Sequence, residues 1–232
     1  MRKAWNKGFK KETHPGVAKI SATMKKRKLD NFREWRQRMK ALGVIKASYP
    51  LLPKTEELAE FIGVILGDGN ISKFPRAERL IISAHSTNRG FVNRYVGITR
   101  RVLGKEPTVT NVRGANCTRI SVYEKYLSKR LEIPAGSRQY KLIRFPGWIR
   151  RSDKFVQACL RGLYEAEGSF SYHPATYTHK AHFSNTNPSL LNFVYMALKR
   201  FGFHPLREHK RITLSRRDEV AELQHLLNFR KY

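Results

Sequence analysis

Two acidic residues occupy matching positions in the sequence, each after an apolar stretch and directly before a glycine. They are Asp68 in "GVILGDGNIS" and Glu167 in "LRGLYEAEGSF", 99 positions apart. Both stretches have helical spacing, and the helix dipole disfavours a carboxylate at a helix C-terminus. Two such carboxylates brought together repel each other unless one is protonated or a divalent cation lies between them. The pair therefore predicts a Mg²⁺ site, at which a water can be activated beside a phosphodiester.

The two acids belong to segments built on one plan, TEELAEFIGVILGDGNIS (55–72) and SDKFVQACLRGLYEAEGSFS (152–171). Each begins with a helix-capping residue and contains small residues four positions apart, which remove side-chain bulk from one stripe of the helix. Packing of each helix on its own sheet would also explain them, but their repetition favours two helices packed side by side. The acids then emerge at one end of the pair. The small residues are Gly63 and Gly67 in the first segment and Gly162 and Ala166 in the second.

The sequence after each helix repeats one order of elements, which predicts an α+β fold of two pseudo-symmetric αββαββα units, here the first and second repeats. Polar and apolar residues alternate along the strands; Ile120, for example, lies between Arg119 and Ser121. This alternation predicts two antiparallel sheets, each with a helix-covered face and an open cationic face, together forming a saddle. Gly69 and Gly168 are expected to be left-handed caps that turn the chain into the first strand of each sheet.

Four regions are predicted along the chain. Residues 1–50 form a basic helical arm and linker with 15 Lys+Arg and 3 Asp+Glu. The first repeat covers 51–135, an inter-domain linker covers 136–151, and the second repeat covers 152–232. The arm is interpreted as two short basic helices that become ordered on nucleic acid. The alternative is that Phe32 and Trp35 dock its second helix on the rest of the protein.

The composition indicates a polyanionic partner. The 232 residues carry a formal charge of +28, from 46 Lys+Arg and 18 Asp+Glu, which favours nucleic acid over a membrane surface. We find no apolar run of 18 residues and no signal-peptide pattern; a basic organellar leader remains a minor alternative. Two cysteines without a CxxC pattern favour a reducing, intracellular location and argue against structural zinc.

FIGVILGDG and LRGLYEAEG resemble the two signature motifs of a monomeric LAGLIDADG homing endonuclease, and LEIPAGSRQYKLIRFPGWIRRSDKF is similar to the family's inter-domain pattern. The resemblance covers about residues 53–232. It implies a monomer, without a protein partner, whose two sheets line the DNA major groove. It also implies a staggered double-strand break made at a long, specific target. KGFKKETHPGVAKISATMKKRK in the arm resembles, more faintly, a nuclease-associated modular DNA-binding motif.

The resemblance also implies roles for individual residues. The metal ligands would be Asp68 and Glu167 together with Gly67 and Ala166, binding two or more Mg²⁺ ions for which Mn²⁺ or Ca²⁺ can substitute. Glu167 departs from the more usual aspartate but is still able to bind Mg²⁺. The family's auxiliary basic residue corresponds to either Arg138 or Lys141 after the first repeat, and Arg230 or Lys231 are weaker candidates after the second.

Contacts with double-stranded DNA are expected from the open sheet faces and from the arm. An intron maturase or another nucleic-acid-binding protein on the same scaffold is the alternative function, and a basic protein that coats nucleic acid is a third. The candidate contacts are Ser72, Lys73, Arg76, Arg79, Arg113 and Arg119 in the first repeat, Ser171, His173, Lys180, His182, Arg207, Arg211, Thr213 and Ser215 in the second, and Lys25, Lys26 and Arg27 in the arm.

Overall fold

The computed structural model describes residues 5–30, 32–139 and 141–232, which divide into an N-terminal body, Met1–Tyr49, and a main body, Pro50–Tyr232. In the N-terminal body, helix α1 (Pro15–Lys26) begins where the His14 Nδ1 atom accepts a hydrogen bond from the Gly16 N–H, at 3.1 Å. Helix α2 (Arg33–Ala41) follows. No residue of either helix is buried, so packing within this body is slight.

The main body contains the predicted order of elements twice. The first repeat consists of α3 (Glu56–Asp68), β1 (Gly69–Lys73), β2 (Glu78–His85), α4 (Arg89–Leu103), β3 (Thr108–Asn111), β4 (Cys117–Glu124) and α5 (Leu127–Leu131). The second follows a short helix α6 (Gly147–Arg150) and consists of α7 (Asp153–Glu167), β5 (Gly168–His173), β6 (Thr178–Ser184), α8 (Pro188–Arg200), β7 (Leu206–Arg207), β8 (Arg211–Leu214) and α9 (Arg217–Leu227). The α+β fold class with two αββαββα units is confirmed.

Each repeat forms a four-stranded antiparallel sheet, in the orders β1-β2-β4-β3 and β5-β6-β8-β7. Residues directly opposite in an antiparallel pair share a face, so the register defines the two faces of each sheet. Ile82 pairs with Ile120 in the first sheet and Phe183 with Ile212 in the second, and all four side chains are buried under the helices. The alternate residues form the open face. No described helix is long and apolar enough to span a bilayer.

Helices α3 and α7 pack backbone against backbone at the predicted glycines. A Cβ atom added at Gly63 would lie 2.2 Å from the carbonyl oxygen of Cys159, and one added at Gly162 would lie 2.1 Å from that of Glu60. A Cβ added at Gly67 would lie 2.5 Å from the Cβ of Ala166. The small residues therefore serve the helix pair. Helix α3 also covers its own sheet, so it is buried on more than one side. Every residue from 58 to 66 is therefore buried, and not only those on one face of the helix.

The left-handed caps expected at Gly69 and Gly168 are wrong. Both glycines are extended, with φ of −93° and −91°. Glycine is needed at both positions because the first residue of the strand lies in close contact with the last turn of the preceding helix. A Cβ at Gly69 would lie 2.6 Å from the Cα of Ile65, and one at Gly168 would lie 2.5 Å from the carbonyl oxygen of Tyr164.

A buried polar network crosses the helix pair and differs between the repeats. Glu60 of α3 accepts two hydrogen bonds from Arg94, at 2.6 and 2.7 Å, and lies 3.4 Å from the Arg161 guanidinium of α7. At the 99-residue offset of the repeats, Glu60 corresponds to Cys159 and Arg161 to Ile62. The backbone contact is thus symmetric, whereas the charged side chains that accompany it are not.

Candidate metal and nucleic-acid site

Asp68 and Glu167 lie at the C-terminal ends of α3 and α7, immediately after the contact between Gly67 and Ala166. Burial, with the nearby Glu167 charge as the second cause, raises the pKa of Asp68 from 3.8 to about 7. Burial also raises the pKa of Glu167. Both acids are therefore partly desolvated, and Asp68 also experiences the charge of Glu167; a cation bound there would offset both costs.

The Glu167 carboxylate is oriented by an asparagine that sequence reasoning missed. Asn185 donates a hydrogen bond from Nδ2 to Glu167 Oε1 at 3.0 Å, and its Oδ1 accepts one from the Asn187 N–H at 2.8 Å. Buried Asn187 in turn donates to the carbonyl oxygens of Arg138 and Lys141 in the linker, at 2.6 and 2.9 Å. This chain of contacts ties α8 and the linker to the acid.

The guanidinium of Arg138 binds backbone carbonyls rather than either acid. Its Nη2 donates to the carbonyl oxygens of Ile65, at 2.7 Å, and Gly69. Helix α3 has no basic residue in its last turn, so Arg138 supplies a positive charge to the end of the helix that carries Asp68. Burial lowers the pKa of Arg138. The side chain predicted to be catalytic is thus placed where it orients the helix end.

The other basic candidates do not approach the acids through hydrogen bonds. Lys141 is exposed, and its Nζ donates to the Ala135 carbonyl at 3.0 Å. Arg230 packs its guanidinium over the Phe229 ring, 4.6 Å from the centroid, while its backbone N–H donates to Glu165. Lys231 is exposed. Among the four candidates for the auxiliary basic residue, Arg138 is the one whose side chain is hydrogen-bonded to the end of α3, the helix that carries Asp68.

The donor set fits a divalent cation that is shared with substrate. Among residues 5–30, 32–139 and 141–232, no Lys, Arg or His forms an ion pair with either acid, and Asp68 accepts no hydrogen bond. No group of three or more described His, Cys, Asp or Glu residues could enclose a metal by itself. Mg²⁺ commonly binds one or two carboxylates and completes its octahedron with waters and phosphate oxygens. A recess of about 280 Å³, lined in part by Arg138, Glu167 and Asn185, adjoins the site.

On the first sheet, the register places Ser72, Arg79 and Arg119 on the open face. Arg79 lies between the rings of Phe74 and Tyr123, at 5.5 and 5.9 Å from their centroids. Arg76 and Arg113 are exposed in loops between strands. The expected position of Lys73 on the open face is wrong, because Lys73 pairs with Glu78 and therefore shares the side of buried Ile71.

On the second sheet, the open face carries Ser171, His173, Lys180, His182 and Arg211, and Ser215 is exposed just beyond β8. Burial, followed by the charges of Arg211 and Lys180, lowers the pKa of His182. Thr213 shares this face but is 6% exposed. Its hydroxyl is hydrogen-bonded to His182, at 3.0 Å, and is therefore less available to a ligand than expected.

Arg207 lies on the opposite side of the second sheet from the one expected. It pairs with Ile212 and thus shares the helix-covered face, where its Nη1 donates to Asn192 of α8 at 3.2 Å. Strand β7 has only two residues, so the sequence alone does not indicate which of them lies on the open face; the register with β8 does. In the N-terminal body, Lys25, Lys26 and Arg27 are exposed at the end of α1.

Comparisons with known proteins agree with this architecture. A family model described as a LAGLIDADG-like domain matches residues 154–231. The homing endonuclease I-DmoI in complex with DNA and Mn has a TM-score of 0.52 and 17% identity, over 74% of this chain and 96% of that chain. Mesophilic variants of I-DmoI give the same score and identity over 74% and 94%. Full-length DUF199/WhiA from Thermatoga maritima has a TM-score of 0.54 and 15% identity, over 79% of this chain and 59% of that chain.

No curated protein sequence gives a significant match. At these identities the structural likeness concerns the fold, which is the two-unit LAGLIDADG fold. The same fold is shared by a homing endonuclease and by WhiA, whose N-terminal portion has been solved as a LAGLIDADG domain. The fold alone therefore does not determine the function, which depends on the residues that this chain places at its site.

Proposed function

We propose that this protein is a site-specific DNA endonuclease that makes a staggered double-strand break by divalent-metal-dependent phosphodiester hydrolysis. One observation carries the proposal: two carboxylates emerge together from the close contact of α3 and α7, without a protein cation among the described residues. Each repeat also has an open sheet face with cationic side chains. I-DmoI, which shares the fold, has been solved with DNA and Mn and with DNA and Ca.

In this proposal, the carboxylates of Asp68 and Glu167 bind Mg²⁺, and the backbone of Gly67 and Ala166 contributes to the same site. Mn²⁺ or Ca²⁺ can replace Mg²⁺ in binding. The bound ion supplies activation of a water and stabilisation of the leaving oxygen. Asn185 fixes the orientation of the Glu167 carboxylate, at 3.0 Å. Arg138 holds the end of α3 through its contacts with the Ile65 and Gly69 carbonyls and so positions Asp68. Of the two linker residues predicted for the auxiliary basic role, Lys141 has the exposed side chain, and its ammonium would act on the scissile phosphates.

The open sheet faces supply DNA recognition. A two-stranded β-ribbon fits the major groove, where an arginine that binds guanine with both nitrogens discriminates by about 1–3 kcal/mol. Arg119 and Arg211 are exposed on the open faces and can make such contacts, whereas Arg79 is half-buried between Phe74 and Tyr123. Contacts with phosphates would instead set affinity and salt dependence. Because both helices of the central pair belong to one chain, the enzyme acts as a monomer.

The test is selection of cleaved sites from a randomised duplex library, with and without Mg²⁺. Cleavage of the selected target should require the metal and should be abolished in Asp68→Asn and in Glu167→Gln. The exposed acid Asp218 provides a matched control, since Asp218→Asn removes a charge of the same kind from the start of α9. Sequence-specific binding without cleavage in either Mg²⁺ or Mn²⁺ would identify a binding protein instead. Stimulation of intron splicing by the same preparation would identify a maturase.

A further inference from the structure

A groove of about 810 Å³ lies between linker residues 142–145 and helix α8. The linker is attached to the helix at two points. The Ile143 N–H donates to Ser189 Oγ at 3.1 Å, and the Phe145 ring stacks on Phe193 with centroids 3.7 Å apart and planes 10° apart. Since both walls are fixed by these contacts, the groove is preformed.

The floor of this groove presents apolar side chains to solvent. Leu142 is 71% exposed and Met196 is 56% exposed, and both line the groove together with the stacked Phe145–Phe193 pair. Isolated exposed apolar residues need no explanation, but a cluster in a groove is typical of an interaction site. Methionine is also common at surfaces that accommodate partner side chains, because its chain is flexible and polarisable.

The edges of the groove are cationic. Arg144, Arg150 and Arg207 line it, and no acidic residue does. Arg207 contacts the neutral amide of Asn192, and neither Arg144 nor Arg150 forms an ion pair with a described carboxylate. Three guanidinium groups around an apolar floor are complementary to a ligand with apolar anchors and carboxylates.

The groove lies on the helix-covered side of the second sheet, because Arg207 shares the face of buried Ile212. The open face of the same sheet carries Lys180, His182 and Arg211. A ligand in the groove would therefore not occupy the surface assigned above to DNA, and both could be bound at once.

We propose that this groove binds an acidic amphipathic segment of a partner protein, with its apolar side chains on Leu142, Phe193 and Met196 and its carboxylates on the arginines. A nucleic-acid backbone would satisfy the arginines but leave the exposed Leu142 and Met196 without apolar contacts. A second copy of this chain is disfavoured by the repulsion between two molecules of charge +28. The inference does not depend on nuclease activity.

The experiment uses the full chain and a labelled helical peptide with Leu and Phe at helical spacing and Glu at the other positions, followed by fluorescence anisotropy. Two matched peptides replace every Glu by Gln or every Leu and Phe by Ser. The protein variants are Arg144→Glu combined with Arg150→Glu, and Met196→Glu. The control is Lys129→Glu, an exposed charge reversal on α5 of the first repeat. Thermal unfolding checks that each variant is folded.

Both peptide substitutions and both groove variants should weaken binding, the double arginine variant by about tenfold or more, equivalent to about 1.4 kcal/mol. Lys129→Glu should bind as the wild type does, and a saturating duplex DNA should not displace the peptide. Absence of binding, or binding unaffected by removal of Leu and Phe, would overturn the proposal. Competition by duplex DNA or single-stranded RNA would reassign the groove to nucleic acid. Self-association abolished by Met196→Glu would reassign it to a second copy.

Discussion

At the scale of single residues, the two acids occupy equivalent positions but have different neighbours. Glu167 is hydrogen-bonded by Asn185, whereas the residue at the equivalent offset in the first repeat is Ser86, which lies near Thr118 instead. Asp68 therefore has neither a donor nor a cation among the described residues to stabilise its charge. This difference makes Asp68 the acid whose ionisation should be most sensitive to metal and to pH.

The raised pKa of Asp68 predicts a pH-dependent stability. With a pKa of about 7 in the folded state against 3.8 ordinarily, the carboxyl binds its proton more tightly when folded. Below pH 3.8 both states are protonated and stability is unaffected; as pH rises to 7 the free energy of unfolding falls, by about 2–4 kcal/mol without metal. Asp68→Asn should remove this contribution and leave the one that comes from the raised pKa of Glu167. The measurement is chemical denaturation of both proteins at pH 4 to 8.

Mg²⁺ should reverse the same destabilisation, because it binds the ionised acid in the folded state only. At pH 8 it should raise the melting temperature of the wild type and leave that of Asp68→Asn unchanged. An equal rise in both proteins would show that the ion binds elsewhere.

Arg138 is expected to position Asp68 through the backbone. Arg138→Met keeps much of the side-chain volume but removes both hydrogen bonds to the end of α3, at a cost of about 1–3 kcal/mol of stability. If cleavage is confirmed, kcat should fall at every pH with little change in duplex affinity. Arg151→Met, a substitution of an exposed arginine in the same linker region, should change neither quantity. A fall in affinity matching the fall in rate would instead indicate contact with DNA.

The positions of Asp68 and Glu167 could be predicted because the same pattern occurs twice in the sequence. Asn185 and the role of Arg138 could not, since each reaches a residue from another element. Asn187 is a partial exception: an asparagine directly before Pro188 is a good helix-capping signal. That signal predicts the start of α8 but not the two linker carbonyls that Asn187 also binds.

At the scale of elements, the contact between α3 and α7 depends on two glycines at equivalent positions. Gly63→Ala or Gly162→Ala would place a methyl group against a backbone oxygen of the other helix, 2.2 or 2.1 Å away. The helices must then separate, which should lower the free energy of unfolding by about 1–3 kcal/mol or more. Separation would also move the two acids apart, so cleavage should fall more than stability accounts for.

Gly97→Ala in α4 is the matched control for this prediction. Its new Cβ would meet only the flexible end of Arg101, at 3.2 Å, and should add up to about 1 kcal/mol through helix propensity. Denaturant unfolding of the three variants tests the comparison. Equal effects at all three positions would show that the close helix contact contributes nothing specific.

The errors made from sequence at this scale have a common cause. Strand alternation identified the open face of β4 correctly, because that strand is eight residues long. Lys73 and Arg207 lie at the end of a strand and in a strand of two residues, where only the register with a partner determines the face. Gly69 and Gly168 were expected to need a positive φ, but they are required by the proximity of the preceding helix.

At the scale of the whole molecule, the charge of +28 predicts nucleic-acid binding that is strongly dependent on salt. Replacing Lys25, Lys26 and Arg27 by Gln should weaken duplex binding and reduce the slope of log K against log salt by roughly one for each phosphate that the arm no longer neutralises. Cleavage of the bound target should persist, because both acids lie in the main body. Titrations at several salt concentrations test this, and an unchanged slope would exclude the arm from binding the duplex.

The unequal charges at the helix pair have a consequence for assembly. Two copies of the second repeat could reproduce the glycine contacts, yet each Arg161 would face Cys159 of the other copy, which corresponds to Glu60, and would lose its carboxylate partner. In two copies of the first repeat, Ile62 would take the place of Arg161, so Glu60 would lose the guanidinium that lies beside it. Neither repeat can therefore replace the other in the helix pair. If the two repeats are expressed as separate chains in one cell, we expect a first repeat to pair with a second repeat. The resulting pair would bind a ligand with two different ends in one orientation only.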